Sequence, residues 1–489
     1  MHEGEARAAR PVIGRRLAGW HDPESVFLAL FAAESAGDVA WLDDSAGEGW
    51  SYLAVSAGTV AEWPHGVFAG LAELLPASAA TPSAPSEVDV EVDALPDGLA
   101  FRLGLVGWIP HDAWSETVPL HHAPPSAPEV DASVPAAAIR VDRLLAFDHA
   151  AGEVWAVARA GDAWPLAVEE EMARVTSSGA RAPAAHAGDD VPASPVWRHD
   201  DAAYLDLIRS CQESIRRGDA YQLCLTNSAS VPGRVDPVRV HLALRTLSPT
   251  HHGAFLRVGS TALVSASPER FVEVDARGTL RTMPIKGTRP RHADPAADVR
   301  ARAELLASDK ERAENVMIVD LMRNDLSRVC VLGSVRVTSL FAVEAYAQVH
   351  QLVSRVEGEL APGVSALDAV RALFPAGSMT GAPKSAAVGI LRALEGGPRG
   401  VYAGAFGWFG DDGRVDLAMV IRSVVVTDGR ATVGAGGGIT ALSVPEEELD
   451  EVRVKAAPLL AALRAGHVPS LRDHVESPGP PLPRAPHPA

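Results

Sequence analysis

The chain has 489 residues, 47% hydrophobic and 22% charged, with a formal net charge of −18. Such a length predicts two or three domains, or one large α/β unit, around a sizeable core. The negative charge argues against nucleic acid and anionic membranes as main partners, because both bind basic surfaces.

The three cysteines, Cys211, Cys224 and Cys330, are few and widely spaced. They suit neither a disulfide framework nor a zinc site and indicate a reducing, cytoplasmic location. No segment has the apolar length of a membrane span, and the charged N-terminus lacks the apolar core of a signal peptide.

The first half of the chain is predicted to form one domain, 20–175, after a loose leader at 1–19. A helix is expected from Asp22, followed by a hairpin of strands at 39–42 and 50–55. Further strands are expected at 103–109, 138–147 and 153–160, and a helix at 163–175. A linker at 176–199 follows, since this segment is rich in Ser, Ala, Gly and Pro without periodicity.

The second half, 200–465, is predicted as the catalytic domain. Its first helix places Tyr204, Ile208, Cys211 and Ile215 on one face. Next in order come a strand at 220–227, short β segments between 253 and 274, a long helical run at 295–328, a strand at 344–360, a β-meander at 399–435 and a last helix at 445–465. Residues 466–489 contain seven prolines and are expected to be disordered.

Strands and helices mix without regular βαβ alternation, which favours an α+β fold with antiparallel sheets. The last helix has a sequence typical of a capping box at its start, with Ser443 three residues before Glu446.

Two predicted helices carry paired carboxylates. Glu311 and Glu314 are three residues apart and share a helix face, and so do Glu448, Glu451 and Lys455. Two such faces can build an oxygen-only site for a hard cation such as Mg²⁺. The alternative is a pair of solvated acidic faces that form ion pairs with neighbouring basic residues.

Two glycine-containing segments could bind anions. The loop 374–384 contains Gly, Ser and Thr and leads into a helix, so its amides suit a carboxylate or phosphate, although the Walker spacing is absent. The run 434–439 lets a ligand approach the backbone closely. Arg422 lies in an apolar segment, where either a ligand carboxylate or an ion pair with Asp416 would compensate its charge.

Three further residues could take part in chemistry. Lys286, in a short and partly apolar segment, could lose its proton and act as a nucleophile, or it could be an ordinary turn lysine. Glu269 could be a general acid with a raised pKa, or it could pair with Arg270. His350 is more typical of a buried core histidine than of a catalyst.

Taken together, these segments resemble the chorismate-utilising enzymes, which include component I of anthranilate synthase, component I of aminodeoxychorismate synthase, isochorismate synthase and salicylate synthase. The matching segments occur in the family's order over about 205–460. They are 215–222, 265–271, 284–288, 309–325, 349–352, 377–384, 402–407, 416–422, 436–439 and 448–455. The first half is similar more weakly, at 41–45, 51–53 and 104–108.

The resemblance implies large antiparallel sheets packed face to face with helices outside, and it implies roles for individual residues. Glu314 and Glu451 would bind Mg²⁺ directly, with Glu311 and Glu448 acting through water. Lys286, Glu269 and His350 are the implied catalytic residues. The implied substrate-binding residues are Ser378, Thr380, Tyr402, Arg422, Gly436, Gly438, Lys455, Gln222 and Thr288.

Two positions separate the branches of the family. Gln222 stands where isochorismate and salicylate synthases have a lysine base, and Lys286 stands where anthranilate synthases have alanine. The segment Pro284–Thr288 therefore resembles the aminodeoxychorismate synthase branch. There, the lysine is thought to add to C2 of chorismate while Glu269 protonates the departing 4-hydroxyl, which requires Lys286 neutral and Glu269 protonated.

The resemblance also implies partners. No glutaminase segment is present in this chain, so ammonia would come from a glutamine amidotransferase subunit in a heterodimer, and the product would be 4-amino-4-deoxychorismate for 4-aminobenzoate and folate. The alternatives are anthranilate synthase component I, a chorismate aminase of secondary metabolism, and a non-catalytic chorismate-binding homologue.

Overall fold

The computed structural model describes residues 10–33, 37–76, 95–120, 134–178, 194–346 and 349–468. The α-helices in these ranges are α1 (Pro23–Leu30), α2 (Val67–Leu74), α3 (Trp164–Ser178), α4 (Asp201–Arg216), α5 (Pro237–Leu247), α6 (Pro295–Ala307), α7 (Asp309–Ser327), α8 (Ala366–Leu373), α9 (Lys384–Glu395) and α10 (Pro445–Gly466). Short 3-10 helices cover His111–Glu116 and Gly377–Met379.

The strands are β1 (Val12–Arg16), β2 (Val39–Asp43), β3 (Trp50–Trp63), β4 (Gly104–Ile109), β5 (Ala136–Asp148), β6 (Glu153–Arg159), β7 (Val196–Trp197), β8 (Gln222–Pro232), β9 (His252–Val258), β10 (Thr261–Ser267), β11 (Arg270–Val274), β12 (Thr279–Thr282), β13 (Ile285–Pro290), β14 (Arg336–Ala345), β15 (Val349–Glu359), β16 (Gly381–Ala382), β17 (Ala405–Gly410), β18 (Val415–Met419), β19 (Ser423–Thr427) and β20 (Arg430–Ile439).

Polar residues at the N-cap position fix where many of the helices begin. These side chains accept hydrogen bonds from backbone N–H groups of the first turn and so satisfy donors that have no partner within the helix. They are Asp22, Asp200, Asp236, Asp294, Ser308 and Ser365.

The strands form two antiparallel sheets. The first sheet runs in the order β8–β20–β19–β10–β9–β2–β3–β5–β6–β1, with β7 and β16 on the free side of β8. The second sheet runs in the order β5–β4–β17–β18–β11–β12–β15–β14, and β13 continues the path of β12 along β15. The long strand β5 belongs to both sheets.

The sheets pack face to face, and helices cover their outer faces. Trp108 and Phe406 of the second sheet meet Leu256 and Leu263 of the first in the core between the sheets. A second core lies between the first sheet and α1, α4, α5, α9 and α10, and a third between the second sheet and α2, α7 and α8. This layered α+β arrangement confirms the predicted fold class.

Most predicted elements are confirmed, but three predictions in the second half were wrong. The helical run 295–328 is two helices, because Ser308 leaves the helix and caps α7. The segment 399–435 is not a meander: β17–β18 and β19–β20 are hairpins in different sheets. Ser443 does not cap α10, whose N-cap is Val444, without a side-chain bond.

The predicted domain boundaries stay predictions, with one correction. Residues 12–16, expected in a loose leader, form β1 and pair with β6. Strands from both predicted domains also pair with each other, at β2–β9 and β4–β17. Residues 1–9, most of the predicted linker (179–193) and the tail from 469 lie outside the described residues.

A search of the described helices found none both long enough and apolar enough to cross a membrane.

Candidate active site

The candidate active site lies where the chain crosses between the two sheets. Glu269 lies between β10 and β11, and Arg422 lies between β18 and β19. The two crossings are hydrogen-bonded to each other: the N–H of Ala266 donates to the carbonyl of Arg422 at 3.0 Å, and the N–H of Met419 donates to the carbonyl of Glu269 at 2.9 Å. This pairing places Glu269 and Arg422, which are far apart in the sequence, in adjacent segments.

Arg422 is the best candidate for binding an anion. It lies in the crossing rather than within a strand, and its φ of +50° is in the left-handed region, which is uncommon for non-glycine residues and is enriched at active sites. It makes no ion pair with any residue in the described part of the chain, because Asp416, the alternative partner, binds Arg270 at 3.1 Å. Burial lowers the pKa of Arg422.

Lys286, near the start of β13, is surrounded by acidic groups. Burial lowers the pKa of this lysine, but Cys224, Glu269, Glu314 and Glu451 together outweigh burial and hold the pKa above its ordinary value. Burial also raises the pKa of the Cys224 thiol, so at neutral pH the carboxylates are the groups that stabilise the ammonium. The requirement for a neutral Lys286 is therefore not met in the free protein.

The pKa of Glu269 is shifted in the direction that its proposed role requires. This residue is 8% exposed, and burial raises the pKa of its carboxyl group, although Lys286, Ser378 and Lys455 oppose the shift. The buried hydroxyl of Ser378 lies beside this carboxyl and has no other hydrogen-bond partner among the described residues. A carboxyl group with a raised pKa next to a serine hydroxyl is suited to general-acid chemistry.

The two acidic helices approach the same part of the site from opposite sides. A Cβ added at Gly438 would lie 3.8 Å from Glu314 Oε2, and one at Gly437 would lie 2.9 Å from Glu448 Oε2 and 3.8 Å from Glu451 Oε1. Strand β20 thus brings the carboxylates of α7 and α10 within reach of one glycine run.

Three of the four carboxylates are paired with cations in this arrangement. Glu448 accepts from Lys310 at 3.3 Å and Glu451 from Lys455 at 2.5 Å, while Glu311 lies 3.5 Å from Arg289. Within the described ranges, no group of three or more Asp, Glu, His or Cys side chains is close enough to hold a metal ion.

The donor set nevertheless suits a hard cation. Burial raises the pKa of Glu314 to about 7, supported by Glu311 and opposed by Lys286. For Glu451, burial acts in the same direction, but the ammonium of Lys455 outweighs it and lowers the pKa. A bound cation would stabilise the charged form of a buried carboxyl group that has no ion-pair partner. The Mg²⁺ prediction is therefore chemically reasonable and stays a prediction.

Tyr402, Gly436 and Lys455, which are predicted to bind the substrate, lie at the glycine run of β20. A Cβ at Gly434 would lie 2.1 Å from Cγ of Tyr402, so only glycine allows the ring to pack on β20. Lys455 donates to the carbonyl of Gly436 at 2.7 Å, which anchors α10 to the glycine run. Gln222 lies on β8, the strand that pairs with β20, and its buried Oε1 has no hydrogen-bond partner among the described residues.

Two predicted site residues have other contacts, and a third is exposed to solvent. The hydroxyl of Thr380 donates to the carbonyl of Ala376 at 3.1 Å and stabilises the turn. His350 Nε2 lies 3.0 Å from Asp298 Oδ1 on α6. Thr288 is exposed. These contacts give no support to direct roles for the three residues, which stay predictions.

Sequence analysis missed two neighbours of the site. Lys310 links α7 to Glu448 on α10, and its spacing of four residues from Glu314 could have indicated a shared face. Cys224 lies two residues after Gln222 on β8, and the alternation of side chains along a strand could have placed both on one face.

An amine, a carboxyl group and an unpaired guanidinium in one partly buried site are groups that suit a small anionic substrate. The chain belongs to the family of chorismate binding enzymes, which matches residues 43–461.

Individual relatives agree with this assignment. The chain is 40% identical over 479 residues to an aminodeoxychorismate synthase of Streptomyces pristinaespiralis, an alignment covering 93% of this chain and 65% of that protein. It is 40% identical over 382 residues to anthranilate synthase component 1 of Streptomyces coelicolor, covering 74% and 73% of the two chains. The chain thus spans less than two thirds of the first relative's length.

The fold has a solved counterpart. The crystal structure of anthranilate synthase component I from Streptococcus pneumoniae superposes with a TM-score of 0.67 at 28% identity, covering 84% of this chain and 92% of that one.

Proposed function

We propose that this chain is component I of an aminodeoxychorismate synthase, which converts chorismate and ammonia into 4-amino-4-deoxychorismate in the cytoplasm. The observation that supports this reading is the position of Lys286 among Glu269, Glu314 and Glu451. An amine at this position is the feature that separates this branch from anthranilate synthases in the resemblance described above.

Each nearby residue has a role in the proposed reaction. The amine of Lys286 adds to C2 of chorismate, both ring double bonds shift, and the C4–O bond breaks. Glu269 donates its proton to the departing hydroxyl, which leaves as water. Ammonia then adds at C4, the reverse shift of the double bonds expels Lys286 as the neutral amine, and the new C4 ammonium returns a proton to Glu269.

Other side chains bind and orient the substrate. Arg422, Tyr402 and Ser378 would hold the enolpyruvyl carboxylate, because Arg422 is unpaired and the Ser378 hydroxyl is available. Mg²⁺ bound by Glu314 and Glu451, with Glu311 and Glu448 beyond it, would hold the ring carboxylate and offset the negative charge that keeps Lys286 protonated.

Ammonia would come from a glutamine amidotransferase partner. The relative from Streptomyces coelicolor is named component 1 of its synthase, which supports a second subunit as a partner.

Product analysis tests the proposal. The purified chain is incubated with chorismate, Mg²⁺ and ammonium, and the product is identified by mass spectrometry. We expect a non-aromatic amine that retains the enolpyruvyl group, together with a chorismate adduct on the peptide containing Lys286 when the reaction is quenched early.

Anthranilate synthase component I is the second candidate, supported by the Streptomyces coelicolor relative. It predicts an aromatic product without any added lyase. Formation of anthranilate, or an adduct that maps to a peptide without Lys286, would reject the first proposal.

A further inference from the structure

A buried ion pair, Glu395–Arg399, lies behind the substrate side of the site and has no part in the steps above. Glu395 ends α9, and each of the two side chains is only 3% exposed. Nε and Nη2 of Arg399 donate to the two carboxylate oxygens of Glu395 at 2.8 and 2.7 Å. Because this pair is bidentate and internally compensated, Arg399, unlike Arg422, has no free charge to offer a ligand.

The same guanidinium also holds two backbone segments of the site. Nη1 of Arg399 donates to the carbonyl of Met379 at 2.6 Å, in the 3-10 turn that contains Ser378. Nη2 donates to the carbonyl of Cys224 on β8 at 2.8 Å. Cys224 lies opposite Gly438 in the sheet, so one arginine connects the Ser378 turn to the strand beside the glycine run.

Glu395 extends this connection along β8. Its Oε1 accepts hydrogen bonds from the N–H and the hydroxyl of Thr226, both at 2.9 Å. Thr226 lies opposite Gly436 in the sheet. The pair therefore fixes β8 at the two residues that face the two glycines implied in substrate binding.

Backbone hydrogen bonds to β8 constrain the end of the Ser378 turn more than they constrain Ser378 itself. The carbonyl of Thr380 accepts from the N–H of Cys224, and Gly381 pairs with Leu223, so the end of the turn is tied to β8 directly. At Met379, adjacent to Ser378, the described connection to β8 runs through Arg399.

We propose that Glu395 and Arg399 form a positioning pair that sets the location of the Ser378 hydroxyl relative to Glu269 and the glycine run, and thereby sets affinity for the substrate's carboxylate. The pair does not touch the substrate. This inference rests on the proposed function in taking chorismate as the ligand.

A double-mutant cycle on chorismate binding tests the inference. Affinity is measured by calorimetry, with Mg²⁺ and without ammonia, for the wild type, Arg399→Lys, Ser378→Ala and the double variant. The lysine keeps the charge but cannot reproduce four hydrogen bonds, so we expect roughly tenfold weaker binding from the misplaced hydroxyl.

The double variant is expected to bind no more weakly than the more severe single variant, because Ser378 can be lost only once. Additive losses, or unchanged affinity in a folded Arg399→Lys protein, would overturn the proposal. A positioning role also predicts that KM for chorismate rises more than kcat falls.

Arg159→Lys is the matched control. Arg159 is another buried arginine, paired with Asp411 away from the site. We expect this control to lower the melting temperature and leave the affinity for chorismate unchanged. If it weakens binding as much as Arg399→Lys does, the effect reflects general destabilisation and the proposal fails.

Glu395→Gln provides a second variant with nearly the same shape, and it is expected to weaken binding in the same direction. If neither Arg399→Lys nor Glu395→Gln folds at low temperature, the pair is a folding requirement and the positioning proposal is rejected. A wild-type protein that binds chorismate without forming an aminated product would reject the proposed function and leave the binding cycle interpretable.

Discussion

At the scale of single residues, the charge of Lys286 is set by the carboxyl groups around it. Burial by itself favours the neutral amine, but Glu269, Glu314 and Glu451 reverse this preference. The nucleophile proposed for the reaction is therefore an ammonium in the free protein, and ligand binding has to change the charge around it before the amine can react.

Replacing Lys286 separates charge from nucleophilicity. We expect Lys286→Ala to lose at least about a thousandfold in product formation, as removal of a covalent nucleophile does, while chorismate still binds. Lys286→Arg keeps the charge but supplies no neutral amine, so it should be equally inactive. Steady-state kinetics with ammonium, together with calorimetric binding, check both variants. Substantial activity in the arginine variant would contradict the covalent role.

Arg422 is expected to contribute to binding and not to stability. Arg422→Gln should raise KM for chorismate by roughly thirtyfold, since a charged hydrogen bond contributes about 2 kcal/mol. The melting temperature should stay the same or rise, because the unpaired charge is costly to bury.

Arg270→Gln is the paired comparison for Arg422, because Arg270 has an ion pair with Asp416 to lose. It should lower the melting temperature. Equal destabilisation by the two variants would show that Arg422 has a structural partner.

At the scale of elements, α10 begins without a side-chain cap. Val444 has the extended backbone of an N-cap residue (φ −94°, ψ 116°) but no polar group to offer the first turn. Val444→Ser is expected to stabilise the protein by about 1 kcal/mol, because a serine oxygen can accept from a free backbone N–H. Chemical denaturation measures the gain, and a loss of stability would show that the exposed Val444 side chain packs in solution.

The packing of α5 on the first sheet makes stability depend on pH. His241 of α5 lies between Trp41 and Phe255, with ring centroids 4.6 and 5.7 Å away, and burial lowers the pKa of His241 to about 3, with a further contribution from Arg245. The folded-state pKa is below the unfolded value, so this stability is present above about pH 6.5 and is lost as the pH falls towards 3.

His241→Gln removes this titration. Between pH 7 and pH 4.5 the wild type should lose more unfolding free energy than the variant, by at most about 1.4 kcal/mol per pH unit. Urea denaturation over this range measures the difference. His251→Gln is a control of opposite sign, because the hydrogen bond with Asp44 raises the pKa of His251 and that contribution is lost as the pH rises through the folded value. Parallel pH profiles for the wild type and His241→Gln would contradict the prediction.

At the scale of the whole molecule, the two predicted domains share their sheets. Strand β2 pairs with β9, and β4 pairs with β17, so each predicted domain supplies strands that the other needs. Separating them would leave unpaired strand edges and an open face of the core between the sheets.

Fragments 20–175 and 200–465 expressed separately are therefore expected to be unfolded or aggregated, and co-expression is expected to recover chorismate binding. Circular dichroism and thermal melting test this. Cooperative unfolding of 200–465 alone would instead support two independent domains.

Local sequence signals were sufficient for much of the fold. Periodicity predicted α4, where Tyr204, Ile208 and Cys211 are buried as expected, and two β segments joined by a turn predicted the β2–β3 hairpin. The break at Ser308 and the separation of β18 from β19 were missed, because a polar residue can continue a helix or cap it, and neighbouring strands can pair with each other or with distant partners.

The sequence by itself determined the residue types of the site, Lys286 above all, because the matching segments and their order can be recognised without a structure. Only the tertiary structure decided which of them meet. The crossings at Glu269 and Arg422, the carboxylates around Lys286 and the Arg399 connection all join segments far apart in the chain. Such contacts depend on how the strands are distributed between the two sheets, and local periodicity in the sequence does not encode that distribution.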